Sequence, residues 1–305
     1  MKKLKKLNKV VSSLITLFFA LTIFQFSSCK STPVETAFVD PLELIDNENH
    51  FFISIPYKVD PNLIVSLIEK NAYGIEHNQA EMIAKRIDTL YVGLIKAKKS
   101  ATFQISGSVD FPKIAIKKVF KGKNGFSEEK IEIQQSEEVP FSYSVYSKDG
   151  TDISFPSEFV SLLGRNVPEM LNVYHGKAFS TGYENKNPIG SSVYSFLKGE
   201  DNEIPAMKFY AARPQSFLTM LTGTNLTLKL AYVRGTMKTD PKSEKQYVMD
   251  LEFEFKDARM IPVAKGALSV AFGLTDSDVY LTSPTHLVIS NIKIGKEQLY
   301  RLLLI

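Results

Sequence analysis

The chain has one cysteine and no tryptophan in 305 residues, and only four histidines. A single cysteine excludes a disulfide framework, so a domain exported to an oxidising compartment must hold itself together by packing. His50, His77, His175 and His286 stand far apart and in none of the spacings that bind a catalytic metal, such as H-E-x-x-H. Equally absent are a G-x-S-x-G nucleophile elbow, a G-x-x-x-x-G-K phosphate loop and a G-x-G-x-x-G dinucleotide turn. Glu252 and Glu254 share a strand face with Lys256 and read as solvent-side charges, not as an acid–base pair. These absences point away from an enzyme and imply neither cofactor nor metal. A strong basic surplus is missing too. The formal charge of +4 includes five lysines within the first nine residues, and the rest of the chain is close to neutral, which removes the electrostatic case for a nucleic-acid partner.

What is present begins with an export signal. Lys2, Lys3, Lys5, Lys6 and Lys9 form a cationic head, Val10 to Phe26 an apolar run, and Phe26-Ser27-Ser28-Cys29 a small-residue cleavage site. Placing the only cysteine at the end of that run favours a lipoprotein signal over residues 1–28, with acylation (palmitate-type chains) at Cys29. An ordinary cleaved signal and an uncleaved anchor are the alternatives, and all three export the chain. Phe26 stands where most lipoboxes carry Leu, which resembles the relaxed lipobox of spirochaetes. Residues 29–40 are polar and aperiodic, a flexible tether.

From residue 41 to 305 the periodicity alternates between strand and helix. Phe51 to Pro56 reads as a strand, and Asp60-Pro61 as an N-cap and first turn for a helix over Asn62 to Asn71, with Leu63, Ile64, Leu67 and Ile68 on one face. A second helix is expected from Asn78 to Asp88. Thr89 to Ala97 and Thr102 to Val109 form an antiparallel pair, in which Phe103, Ile105, Gly107 and Val109 face the core and Gln104, Ser106 and Ser108 face water. Asp110 to Phe120 is a short basic amphipathic helix with Ile114, Ile116, Val119 and Phe120 set against Lys113, Lys117 and Lys118. Ile131, Ile133, Phe141, Tyr143 and Val145 mark further strands. The pattern then weakens from Ser157 to Asn202, where Pro168 to Tyr174 reads as a short helix and Gly176 to Gly190 as a surface loop.

The second half repeats the order of the first. Met207 to Ala212 is a strand, a helix after Pro214 carries Phe217, Leu218 and Leu221, and Leu226 to Tyr232 and Gln246 to Lys256 are strands. Ala258 to Leu274, with Ile261, Val263 and Leu268, is mostly apolar yet interrupted by Pro262, Gly266 and Gly273. That makes it either a buried helix or a segment that enters a membrane surface, and too short to span one. A strand from Leu287 to Ile292 and a helix from Lys296 to Leu304 close the chain. The expected fold class is α+β: a largely antiparallel, curved sheet covered by short amphipathic helices, as one domain over 41–305 or as two similar lobes meeting near 176–202.

Asp40-Pro41-Leu42, the strand ending at Pro56, Asn62-Leu63-Ile64 with Ile68-Glu69, Arg86 and Tyr91, and Phe103 with Gly107-Ser108 together resemble the treponemal concealed outer-membrane lipoprotein family. The resemblance is carried by Asp40 to about Phe120 and beyond that by the order of elements. It implies an α/β fold tethered to the periplasmic leaflet of an outer membrane, with helices that insert into and perturb the bilayer. On that reading the membrane-contacting residues are Leu63, Ile64, Leu67, Ile68, Ile114, Ile116, Val119, Phe120, Phe217, Leu218, Leu221, Ile261, Val263 and Leu268. Lys113, Lys117 and Lys118 meet headgroups, and membrane lipids are the partner. Two other classes remain open from the residues themselves. The same apolar faces would line a pocket in a periplasmic carrier of a lipid or glycolipid, and the sheet edge and loops would serve in an envelope scaffold that binds other proteins. A third use of those faces, plain core packing, needs no membrane at all.

Overall fold

The computed structural model describes residues 38–303 apart from 72–74, 97–100, 121, 123–124, 134–140, 181, 200–203, 223–226 and 273–278. The export signal, Cys29 and nearly all of the expected tether therefore lie outside the described residues. After a 3-10 turn at Pro41–Leu44 the chain enters β1 (Phe51–Pro56), α1 (Pro61–Asn71), α2 (His77–Ala84), β2 (Ile87–Lys96), β3 (Ala101–Val109) and α3 (Lys113–Val119). It continues through β4 (Ser127–Ile133), β5 (Phe141–Lys148), β6 (Thr151–Ser154), β7 (Val160–Gly164), α4 (Val167–Phe179) and α5 (Ser191–Lys198). The last third holds β8 (Met207–Ala211), α6 (Pro214–Thr222), β9 (Leu230–Asp240), β10 (Ser243–Phe255), α7 (Ile261–Phe272), β11 (Val279–Ser283), β12 (His286–Gly295) and α8 (Lys296–Leu303).

All twelve strands form one sheet in the order β11-β12-β10-β9-β8-β1-β2-β3-β7-β6-β5-β4, and every neighbouring pair is antiparallel. The fold is thus the expected α+β class. The seam between the two repeats is the β1–β8 pair, with Phe52 opposite Tyr210 and Ile53 opposite Phe209. Outward from it run β1-β2-β3 on one side and β8-β9-β10 on the other, each followed by a helix, α3 or α7. Val39–Ile305 forms one compact unit, and both halves of the chain contribute strands to the one sheet.

One side of the sheet is covered along most of its width. Leu63, Ile64 and Leu67 of α1, Ile83 of α2, Ile116 of α3, Phe217 and Leu218 of α6, Ile261 and Leu268 of α7 and Leu299 of α8 pack on Ile53, Ile55, Val92, Ile105, Phe209, Leu251 and Phe253. The other side is covered over its first half by the 3-10 turn, α4 and α5, through Leu42, Leu171, Tyr174 and Leu197 on Phe52, Tyr91 and Leu162. Two buried faces explain where the sequence reading of β3 differs from the structure. Gln104 and Ser106 sit on its polar face, yet both are buried. The Gln104 side-chain oxygen accepts from Asp46 N and from Asn49 Nδ2, each at 3.0 Å, and Ser106 Oγ donates to the Pro41 carbonyl at 2.6 Å. Their alternation marks a second layer held by hydrogen bonds, not a wet face.

Other differences are local. The second helix stops at Ala84, because Ile87 and Asp88 already belong to β2. The helix expected from Asp110 is one turn shorter and starts at Lys113, after Pro112. β9 begins at Leu230, not at Leu226. The weakly patterned 157–202 region contains β7, a longer α4 that runs through Gly176 to Phe179, and α5. Where an insertion segment or a buried helix was expected, a 3-10 turn (Ala258–Met260) leads into α7.

The halves are tied together at Asp60. Its carboxylate is buried, caps α1 by accepting from Leu63 N at 3.1 Å, and meets Lys296 Nζ of α8 at 3.0 Å. The hydroxyls of Tyr247 on β10 and Tyr300 on α8 also donate to it. Burial first, and then the hydrogen bond to Asp60 and its charge, raise the pKa of both phenols, so they stay protonated donors. Removing the carboxylate would strand Lys296 and uncap α1. Asp60→Ala should therefore lower the unfolding free energy by about 3–5 kcal/mol, against about 1 kcal/mol for Tyr300→Phe, read from urea melts. Equal effects would show that Asp60 is not the shared partner.

Candidate membrane-contacting surface

Among the described residues no group of three or more His, Cys, Asp or Glu side chains could hold a metal ion, and no helix is long and apolar enough to cross a membrane. The expected contact residues divide between core and surface.

Most of them are core. Leu63, Ile64, Leu67, Ile116, Phe120, Phe217, Leu218, Ile261 and Leu268 are buried, while Ile68 and Val119 are partly buried against the same cluster. The side chain of Leu221 lies outside the described residues. The sequence allows these faces to move from core to lipid at little net transfer energy, but the structure shows the opposing cost. If the helical layer left, Ile53, Ile55 and Val92 of the sheet would face water, at roughly 1.5–3 kcal/mol for each large side chain uncovered.

Two of the expected residues are not core. Ile114 is 73% exposed in the first turn of α3, and Val263 is 65% exposed on α7. On α3 the inward anchors are Ile116 and Phe120. Phe120 meets Phe126 edge-on at 5.1 Å between ring centroids and stacks on Tyr146 at 5.4 Å. With those positions inward, Lys113, Ile114, Lys117 and Lys118 are all exposed. Ile114 stands two positions before Ile116, about 200° round the helix, and so on the lysine side whatever the helix length.

α7 is apolar on both sides, which is why no single stripe stands out in its sequence. Ile261, Ala264 and Leu268 face the core, while Pro262, Val263, Gly266 and Val270 are exposed, Val270 at 85%. Val270 was not among the expected contact residues. Its signal is the i, i+4, i+7 or i+8 spacing of Pro262, Val263, Gly266 and Val270, without a charge at any of these positions.

The third surface is internal. A cavity of about 70 Å³ lies between β2, β3, β6 and β7 and helices α1 and α2, lined by Leu67, Ile83, Leu90, Ile105, Phe120 and Ile153. Small-molecule sites enclose roughly 300 Å³ or more. In this conformation it is a packing defect large enough for a fragment of an acyl chain, not for a whole lipid.

A family model described as outer membrane-associated lipoprotein TP0453 matches residues 36–300. Among solved structures, crystal form I of TP0453 aligns with a TM-score of 0.67 at 17% identity, covering 88% of this chain and 98% of that one. Crystal form III aligns at 0.63 with the same identity, covering 88% and 99%, and crystal form IV at 0.59, covering 88% and 98%. At that identity the structures speak for the fold alone. No curated protein matches the chain. The family match spans both repeats and nearly every described element, and so this chain belongs to the outer membrane-associated lipoprotein family of TP0453.

Proposed function

We propose that the protein is a non-enzymatic lipoprotein, held by acylated Cys29 at the periplasmic face of an outer membrane, whose folded domain contacts and perturbs the facing leaflet through its helical layer. The observation that carries this reading is α7: a soluble helix normally turns a polar side to water, and this one presents Pro262, Val263, Gly266 and Val270 there. Its depth of contact would be that of an interfacial helix, with the apolar side in the headgroup–acyl boundary. α3, on the same side of the sheet, adds Ile114 with Lys113, Lys117 and Lys118 for headgroups. Acyl chains already suffice for attachment, so this contact serves perturbation of the bilayer rather than anchoring. The burial of the α1 and α6 faces supports a contact made without unpacking them.

The carrier reading keeps one observation in its favour, the apolar cavity beneath α1 and α2. It requires those helices to move outward before a lipid can enter.

Three outcomes check these statements. Val263→Glu with Val270→Glu should cut dye release from vesicles by about tenfold at unchanged thermal stability, and full release from the double variant would remove α7 from the contact. On α3, Ile114→Glu should change stability by less than about 0.5 kcal/mol whereas Ile116→Glu should cost about 3 kcal/mol or more, measured by denaturant titration. Protein purified without detergent should contain no stoichiometric extractable lipid by mass spectrometry. One lipid per chain would favour the carrier.

A further inference from the structure

The antiparallel registers bring many loop ends to one end of the sheet. β1, β3, β9 and β12 finish there and β2, β7, β8 and β10 start there, as the pairs Pro56–Thr89, Val109–Ile87, Ser108–Val160, Met207–Met237 and Gln246–Gly295 show. Four of the large apolar side chains that the fold leaves in water stand at this end: Met82 at 59% exposure, Ile114 at 73%, Phe159 at 56% and Ile204 at 73%. Met82 lies on α2 and Ile114 on α3, while Phe159 stands in the connection before β7 and Ile204 in the one before β8.

Between them run two open grooves that share Lys58. One is lined by Met82, Lys85, Arg86, Asp88 and Asp110, the other by Ile204, Lys238, Asp240, Lys242 and Lys293. Six cationic side chains therefore line the grooves with three carboxylates, and Lys85 also lies 3.7 Å from Glu81 on α2. One of the three, Asp240, is buried and committed to Lys293 at 2.7 Å. Lys58 and Lys238 have no carboxylate partner among the described residues. In a chain close to neutral beyond its signal, this is a local concentration of positive charge beside exposed apolar tips. Both halves build it: Lys58, Lys85 and Arg86 come from the first repeat, Lys238, Lys242 and Lys293 from the second.

We propose that this end of the sheet docks the domain on an anionic lipid surface, with the basic groups on headgroup phosphates and Met82, Ile114, Phe159 and Ile204 entering the interface. Each basic residue near such a surface adds an attraction that weakens with salt, while the apolar tips add a salt-insensitive part. The inference rests on the membrane reading above but assigns a different task to a different surface: docking here, perturbation at α7. It keeps the core closed, because every residue it uses is already outside.

The test uses the mature chain from residue 29 with Cys29→Ser, so that no acyl chain masks the result. Flotation is compared on vesicles of phosphatidylcholine with and without phosphatidylglycerol, at low and high salt. Binding should require the anionic lipid and fall with salt, and Lys238→Glu with Lys242→Glu should weaken it by about tenfold or more. The matched pair Lys229→Glu with Lys256→Glu, exposed and at the opposite end of the β9–β10 pair, should leave it unchanged. Removing Cys29 also removes the only thiol, so Ile204→Cys carrying an environment-sensitive dye reports contact directly and should be quenched by brominated lipid. Binding indifferent to lipid charge, equal loss in the two charge-reversed pairs, an unquenched dye or no vesicle binding at all would each overturn the proposal. Docking without dye release would sink the α7 reading and leave this one standing. Dye release that survives Lys238→Glu with Lys242→Glu at full binding would do the reverse.

Discussion

Asp60 is the constraint on which the rest depends. One carboxylate, 187 residues from Tyr247 and 240 from Tyr300 along the chain, caps α1, meets Lys296 and accepts from both phenols. Lys296 also lies 5.1 Å above the Tyr247 ring. A buried charge with this many partners is costly to disturb, since breaking any one contact leaves another group in the interior without its counterpart. It fixes the start of α1 and the start of α8 against β10, and so holds the first repeat to the last elements of the second.

With α1 pinned, the apolar faces of the helical layer are committed to the sheet, and the surfaces left for a membrane are those the core does not need. They fall into two kinds. α7 is apolar on two sides, with Lys265 and Ser269 between them, so that packing Ile261, Ala264 and Leu268 inward leaves Val263 and Val270 outside. The strand ends gather basic and apolar side chains from both repeats, because the antiparallel β1–β8 seam turns the second repeat end for end and brings non-equivalent loops of the two repeats to one end. The second layer follows the same economy. Asp46, Asn49 and Arg165 form a polar cluster over Gln104 that seats the segment before β1, and a side chain in place of Gly93 would run into Asn49.

Much of this fold is legible in the sequence where one signal acts alone. β1 ends at a proline, α1 starts at Asp60-Pro61, and β10 alternates without interruption from Tyr247 to Phe255, so each lies where periodicity places it. The signal fails where two layers compete for one segment. Gln104 and Ser106 look solvent-facing because a buried polar residue and an exposed one share a code, and only the partner distinguishes them. β7 is short, and α5 is two turns long with Ser, Tyr and Phe on it, so the pattern there is weak when the covering sheet is unknown. Of the candidate surface, the basic helix α3 and the apolar 258–274 stretch are visible as sequence, whereas the groove lysines are not: Lys58, Lys238 and Lys293 are far apart in the chain and meet only through strand register.

Hydrogen–deuterium exchange with and without vesicles addresses the central claim, that the domain meets the membrane with its core closed. If it does, amides of α1, β1 and α6 should keep their protection on vesicles while those of α7 and the strand-end loops slow. Loss of protection in α1 and β1 on binding would mean instead that the Asp60 tie opens and that Leu63, Ile64 and Leu67 exchange the sheet for lipid.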